Sequence, residues 1–412
     1  MKLCVIGLGY IGLPTALLLS SSNEVVGVDT DPRVVTLVND KVAPFQEPGL
    51  EALLAASSMT ASQSPQQADG FIICVPSPLH ERTKTADLTY VKQALKSIAP
   101  HLQKSNLVII ETTVPPGTCK KNIVPFLEKT GLRVGKDIYL AYCPERAMPT
   151  KTLWEMANSD RIIGGINEKS AEIARKLYSS FVKGTFRVTD ISTAEFVKLM
   201  ENTYRDVTIA LANEFATIAE EAGISIWEAI SLANYHPRVD LPNPGPGVGG
   251  HCIPIDPYFL TETTTQYALI RAARDVNDYM PSHVFSKLQA LLNGIKKPTI
   301  TIFGVSYKGN VDDTRMSPAT KLIKLAEEEG FEVRIYDPHV RTYEYGLSSL
   351  DAAVTDTDCI VILADHDEFR HLDFEELTKK ARHKNVVDTR NIIAKSETYN
   401  LISLGVAQKK NV

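Results

Sequence analysis

The stretch MKLCVIGLGYIG, Met1–Gly12, decides the fold. Its apolar run ends in three glycines, so it reads as a short buried strand, a tight turn and the start of a helix. The next apolar stretch, EVVGVD (Glu24–Asp29), supplies a second parallel strand. Together they make the opening βαβ unit of a nucleotide-binding sheet. Gly7, Gly9 and Gly12 carry the GxGxxG spacing between that strand and helix, and Asp29 closes the following strand. Glycines at this spacing bring backbone N–H groups and a helix N-terminus to a pyrophosphate, while a strand-ending carboxylate accepts bonds from a ribose diol. Asp29, with Asp31 beside it, would repel a 2'-phosphate, so the expected cofactor is NAD rather than NADP. The competing reading of Asp29 is a turn residue within DTDP. The basic, apolar beginning also resembles a secretory signal, but the glycine spacing and the strand after it favour a folded domain starting at residue 1.

Working outward, strands are expected at GFIICVP (Gly70–Pro76), LVIIETT (Leu107–Thr113) and IYLAYCP (Ile138–Pro144), with helices between them. This alternation predicts an α/β doubly wound domain over residues 1–188. Residues 189–292 read as a central helical region. It contains one long helix from Ser192 to Ala222, a helix around SIWEAISLAN, and a run from Leu269 to Gly294 kinked at Pro281. The α/β rhythm returns over residues 293–412, with strands in TITIFGVSY, EVRIYDP, DCIVILAD and, last, KNVVDTRN. ADGFIICVPSP and TDCIVILADHD have the same shape, which predicts two Rossmann-like domains joined by helices. GVSYKGNVDD lacks GxGxxG, so the second copy is expected to bind something other than a dinucleotide.

The composition excludes several classes of function. With 412 residues, 44% hydrophobic, and a formal net charge of -5, the chain has ample core and no basic run for nucleic acid or an anionic membrane. No apolar run approaches the roughly 20 residues of a membrane span. Six cysteines without CxxC pairing argue against a disulfide framework or structural zinc and suit a reducing, cytoplasmic setting; no metal is expected. Cys4, Cys74 and Cys359 fall on core strands, Cys143 just after one, and Cys119 at a helix start. Cys252 differs, because it lies in GPGVGGHCIPIDP (Gly245–Pro257), where glycine and proline forbid ordinary helix or strand. A thiolate there suits addition to an aldehyde or acyl carbon. His251 is adjacent and points away on an extended segment, so it is not the expected activator. Asp256 lies four residues on, and Lys198 and Asn202 share one face of the long helix.

GLGYIGLPTA, ETTVPPGT, YCPER, KLMENTYRDV, GPGVGGHCIPIDP and FGVSYKGNVDDTRMSP, in this order, resemble the UDP-glucose/GDP-mannose dehydrogenase family over nearly the whole chain. YCPER followed by Pro149, NYHPRV and PGPGVGGHC resemble its branch acting on UDP-linked 2-acetamido sugars. The resemblance implies an NAD-dependent, four-electron oxidation of the sugar 6-hydroxyl to a carboxylate through a Cys252 thiohemiacetal and thioester. It implies that Lys198 and Asn202 stabilise oxyanions at C6, that Asp256 orients Lys198 or a water, that Thr113 holds a water, and that Glu145 is the base of thioester hydrolysis. On the cofactor side it implies Gly7, Gly9, Tyr10, Ile11, Gly12, Asp29, Arg33, Ser77 and Thr113. On the substrate side it implies Glu145, Arg146, Lys198, Asn202, His236, Arg238, Gly249, Lys308, Arg315 and Arg390. Arg238 matches a region that reaches the partner subunit's site in the family, which implies a homodimer. Two departures from the glucose-oxidising branch, Pro149 and His251, leave the water-activating network open. The 2-acetamido reading leaves the manno and gluco epimers unseparated. A cysteine-dependent hydrolase on a nucleotide-fold scaffold and a catalytically silent nucleotide-sugar binder are the competing classes. The intact GxGxxG with Asp29 disfavours the first, and the joint presence of Cys252, Lys198, Asn202 and Asp256 disfavours the second.

Overall fold

In the computed structural model, which describes residues 1–407, the chain forms two compact units. Met1–Glu201 with Tyr258–Thr264 make the first; Asn202–Pro257 and the chain from Thr265 onward make the second. The first unit is built on eight strands: β1 (Lys2–Ile6), β2 (Glu24–Val28), β3 (Thr60–Ser62), β4 (Gly70–Ile73), β5 (Leu107–Ile110), β6 (Tyr139–Tyr142), β7 (Arg161–Gly165) and β8 (Phe186–Asp190). Their order is β3-β2-β1-β4-β5-β6-β7-β8, a doubly wound arrangement whose direction of winding reverses between β1 and β4. Helices cover both faces, which is why the inner strands are continuously apolar. Leu3 and Val5 enter one core with Leu13 and Leu17 of the helix Gly12–Ser20, and Cys4 and Ile6 enter the other with Val91 and Leu95. Each such fully buried side chain contributes about 1.5–3 kcal/mol.

The second unit has its own five-stranded parallel sheet: β9 (Thr299–Phe303), β10 (Glu332–Tyr336), β11 (Cys359–Ile362), β12 (Asn385–Asp388) and β13 (Asn400–Ser403), in the order β10-β9-β11-β12-β13. Met280, Val284 and Leu288, one helical face of Ala268–Leu291, pack with Ile300, Ile302 and Leu322 on one side of it. Phe303, Ile360 and Phe369 fill the other. The helix Ala268–Leu291 runs on through Pro281, which is buried within it.

Several strands escaped the sequence reading. KNVVDTRN is followed by one more strand, β13, so it is not the last. β7 and β8 extend the first sheet, and β7 runs antiparallel to β6, the one such pairing in that sheet. β8, FRVTD, exposes three of its five residues at the sheet edge and so lacks the apolar run that reveals a central strand. The long helix spans Ile191–Ala222, and Gly223, at φ +78°, ends it.

Both sheets place their chemistry-bearing residues in the same way. In the first, Gly7 and Gly9 follow β1, Asp29 follows β2, Ser77 follows β4, Thr113 follows β5 and Glu145 follows β6. In the second, Lys308 and Arg315 follow β9, and Arg390 follows β12. The carboxyl ends of parallel strands are where open α/β sheets bind ligands.

The glycine turn is also where the fold is tightest. A Cβ on Gly12 would lie 1.8 Å from the carbonyl oxygen of Gly7, a backbone atom that cannot swing aside. Gly12→Ala should therefore lower stability by about 3 kcal/mol or more through overpacking. Denaturant unfolding of the two proteins checks this; equal midpoints would mean that the turn relaxes freely.

Candidate active site

The expected site residues fall into two sets, one in each unit. In the first unit the three glycines serve separate ends. Gly7 has φ +92°, and a Cβ on it would meet the Cys74 carbonyl oxygen at 2.7 Å, so the turn packs against the end of β4. Gly12 lets helix and turn touch. A Cβ on Gly9 would meet nothing within 4 Å, so this backbone faces open space, as a pyrophosphate-binding position must. The Asp29 carboxylate braces the turn, accepting the Leu8 N–H at 2.8 Å through one oxygen and the Asp31 N–H at 2.9 Å through the other. Asp31 caps the helix Pro32–Asn39 by accepting from Arg33 N–H and also pairs with the exposed Arg33 guanidinium at 2.8 Å. Tyr10 packs against Phe45 with the rings tilted, Ile11 precedes the helix Gly12–Ser20, and Ser77 Oγ donates to the Thr113 carbonyl at 2.6 Å, joining the loops after β4 and β5. These groups fit a dinucleotide.

Glu145 is more constrained than a loop carboxylate at first suggests. One oxygen accepts the N–H groups of Arg146 and Ala147, each at 2.7 Å, and the other meets Arg161 at 2.7 Å. Arg161 is buried, contacts Cys143 Sγ at 3.5 Å, and has Glu111 on its other side at 3.7 Å. Burial pushes the Glu111 carboxyl up despite Arg161 beside it. Arg146 is turned to Glu201 at 3.0 Å and to the Asp160 carbonyl. Sequence reasoning missed Arg161; the signal was a charged residue opening an otherwise apolar strand, R-I-I-G-G. Lys198 is buried on the long helix, one turn before Asn202.

In the second unit the structure joins Asn202 to Asp256, both buried, through a 2.6 Å bond from Asn202 Nδ2 to Asp256 Oδ2. Asp256 opens the short helix Asp256–Thr261, and its N–H donates to the Cys252 carbonyl at 2.9 Å. Cys252 is therefore fixed one helical turn from that pair. Gly249 is buried against Tyr307 and the Met316 carbonyl. His236 and Arg238 are exposed and interact with each other. Arg315 grips Asp313 in a bidentate pair at 2.8 and 2.6 Å. Burial alone would raise Asp313, but Arg315 overcomes it and holds that carboxyl low. Arg390 lies under Gly245, where a Cβ would meet its guanidinium at 2.7 Å, and donates to the Leu363 carbonyl.

The other thiols are withdrawn from chemistry. Burial pushes Cys4, Cys74, Cys119 and Cys359 up, and Cys143 up to about 11. One group of potential metal ligands occurs among the described residues, His339, His366 and Glu368. His366 is spent on structure: its Nδ1 accepts from Asn310 N–H and its Nε2 faces Asp337 at 3.2 Å.

Comparison with known proteins agrees with this geometry. The NAD binding domain of the UDP-glucose/GDP-mannose dehydrogenase family matches residues 1–182, its central domain residues 192–279 and its UDP binding domain residues 301–395. A UDP-N-acetyl-D-mannosamine dehydrogenase of Methanococcus maripaludis is 50% identical over 95% of this chain and 93% of its own. The chain belongs to the UDP-glucose/GDP-mannose dehydrogenase family. It is thus an NAD-dependent UDP-sugar dehydrogenase. Among solved structures, a UDP-D-ManNAc dehydrogenase from Pyrococcus horikoshii superposes with a TM-score of 0.93 at 44% identity, covering 98% of this chain and 99% of its own. An NDP-N-acetyl-D-galactosaminuronic acid dehydrogenase of Ralstonia nicotianae is 40% identical over 94% of this chain and 95% of its own. Among the described residues no helix is long and apolar enough to cross a membrane.

Asp29 ends β2 within the matched NAD binding domain, beside the glycine turn. Asp29→Ala should weaken NAD binding about tenfold or more, the worth of hydrogen bonds to a charged group, and leave UDP binding unchanged. Calorimetric titration with each nucleotide checks this; equal loss for both would mean general damage.

Proposed function

We propose that this enzyme oxidises C6 of UDP-N-acetyl-D-mannosamine from alcohol to carboxylate, using NAD rather than NADP, with Cys252 as the covalent nucleophile. The observation that carries the substrate is the likeness, at 44–50% identity over nearly full length, to dehydrogenases named for that sugar. The loop of Cys252 and the buried Asn202–Asp256 pair beside it support the mechanism.

Two NAD+ molecules, bound in turn, supply the oxidising equivalents by accepting a hydride in each oxidation. The turn at Gly7–Gly12 and the Asp29 carboxylate hold and orient the dinucleotide. After the first oxidation, the Cys252 thiolate adds to the C6 aldehyde and forms a carbon–sulfur bond, and the new alkoxide takes a proton to give a thiohemiacetal. The second oxidation removes the remaining C6 hydrogen with its electron pair and the hydroxyl proton, leaving a thioester. Water then adds, the carbon–sulfur bond breaks, and carboxylate and free thiol result. Covalent capture retains the aldehyde between the two oxidations. Lys198 and Asn202 stabilise the oxyanions that form at C6. Asp256 accepts one N–H of the Asn202 amide and so fixes it, leaving the other N–H for the oxyanion.

Glu145 is the proposed base for hydrolysis, and Thr113 holds its water. Arg161 and two backbone N–H groups already occupy the Glu145 carboxylate, so it acts through water rather than by reaching into the sugar. Arg146, His236, Arg238, Gly249, Lys308, Arg315 and Arg390 are the proposed substrate contacts, the cationic ones suiting a diphosphate.

The enzyme is proposed to act as a homodimer. Phe196, Met200, Tyr204, Leu211, Phe215 and Ile218 recur at helical spacing on the long helix, and all are exposed, Tyr204 at 65%. A second copy presenting the same stripe would cover it. Sedimentation should give a dimer for the native chain and a monomer for Tyr204→Glu, while a native monomer would refute the pairing.

The galacto-type relative favours a second substrate reading, and the gluco epimer is a third. The deciding experiment counts NADH formed per sugar from UDP-N-acetylmannosamine, UDP-N-acetylglucosamine and UDP-N-acetylgalactosamine. Two per manno sugar, and little from the others, is the expected result. Cys252→Ser should bind substrate yet lose acid formation by about 100-fold or more, because an alkoxide is far harder to form than a thiolate at neutral pH. Near-native acid formation by that variant would remove Cys252 from the chemistry.

A further inference from the structure

The segment that follows β9 does more than present Lys308 and Arg315. It also seats the loop that carries Cys252, and every contact involved lies inside the second unit. Gly250 N–H donates to the Arg315 carbonyl at 2.9 Å. A Cβ on Gly249 would lie 2.7 Å from Tyr307 Cβ, 2.8 Å from the Met316 carbonyl oxygen and 3.0 Å from Pro318 Cδ. A Cβ on Gly250, where φ is +86°, would press on the Tyr307 ring at 3.2–3.4 Å. Bare backbone therefore lies flat on the tyrosine, two residues before the nucleophile.

Tyr307 and Arg315 are tied together through Asp313. Tyr307 N–H donates to the Asp313 carbonyl at 3.0 Å, and the Asp313 carboxylate takes the Arg315 N–H at 3.0 Å and its guanidinium at 2.8 and 2.6 Å. The loop's other end is fixed. Gly245 N–H donates to Asn213 Oδ1 at 2.8 Å, Asn213 donates to Asn277 Oδ1 at 2.9 Å, and Asn277 donates to Asp206 Oδ1 at 2.8 Å. Asp206 pairs with the buried Arg274 at 2.6 Å. The loop is thus held by Asn213 at Gly245, by the tyrosine turn at Gly249–Gly250 and by the start of the helix Asp256–Thr261 at Cys252, and of these holds the tyrosine turn is the one that runs into the Lys308–Arg315 segment.

That turn belongs to the matched UDP binding domain, residues 301–395, whereas the loop belongs to the matched central domain, residues 192–279. A diphosphate would compete with Asp313 for the Arg315 fork, because carboxylate and phosphate both accept its charge-assisted bidentate bonds. We infer that the Tyr307 ring is a positioning residue that couples nucleotide binding at the Lys308–Arg315 segment to the placement of Cys252. The inference rests on the UDP-sugar reading above. It makes the nucleotide half of the substrate an activator of the thiol that attacks the sugar half.

UDP alone tests this, since it fills the nucleotide site and leaves the sugar position open. The full-length protein, without NAD, is treated with iodoacetamide, and alkylation of Cys252 is timed by peptide mass spectrometry with and without UDP. UDP should accelerate it about fivefold or more, the low end of ordinary site-to-site coupling. Acceleration cannot arise from shielding, which only slows a reagent. Tyr307→Leu should bind UDP, by calorimetry, yet lose the acceleration and lower kcat with KM little changed. Tyr307→Phe should keep both. A native rate unchanged or slowed by bound UDP overturns the coupling; if that protein still makes two NADH per sugar, the proposed function survives. Equal loss in Tyr307→Phe and Tyr307→Leu overturns the assignment to the ring. Failure of UDP to bind overturns both the coupling and the substrate reading.

Discussion

One hydrogen bond, from a backbone N–H to an aspartate side chain, recurs in both halves of this chain and braces each turn. Where the first strand of each sheet ends in a glycine of positive φ, the next N–H donates to an aspartate that closes the neighbouring strand. Leu8 reaches Asp29 at 2.8 Å, and Val305 reaches Asp337 at 2.8 Å. The bond holds each turn at the point where the sheet reverses its winding, so everything emerging from the carboxyl ends takes its position from it. Without it the turn's N–H would be left seeking a partner at the mouth of a site.

This constraint accounts for what could be read in the sequence. The glycine spacing and Asp29 are local signals, with strand, turn and strand following within one short stretch. The second copy was legible through its apolar strands, although its glycine signature is gone, because Gly304 alone keeps the turn. What was hidden depends on distant partners. Arg161 is tied to Glu145 from another strand, and Tyr307 touches a loop more than fifty residues before it. Neither contact leaves a periodic trace. β8 and β13 were obscured for a simpler reason, since their edge positions do not demand the unbroken apolar run of a buried strand.

The candidate site was legible in its residue types and much less so in its pairings. Asp256 was expected to orient Lys198 or a water, and the structure shows its bond to Asn202. Glu145 was read as a base, and the structure surrounds it with three donors. Spacing can bring side chains to one neighbourhood, but hydrogen-bond choice within it depends on angles and distances that spacing does not contain. Cys252 was singled out as the cysteine with a loop of its own, and four of the other five cysteines are buried, which strengthens the contrast.

The two aspartates end in opposite circumstances. Asp29 keeps part of its surface open, whereas Asp337 is buried beneath His366, itself stacked on His339 at 4.6 Å. The same strand-turn bond therefore leaves two different surfaces: beside Asp29 a carboxylate still reachable from solvent, and over Asp337 a closed floor, its oxygens spent on the N–H groups of Val305, His339 and Val340 and on His366. A ligand of the second sheet must accordingly be met by the loops around that floor, whereas the first sheet can offer the strand-ending carboxylate itself.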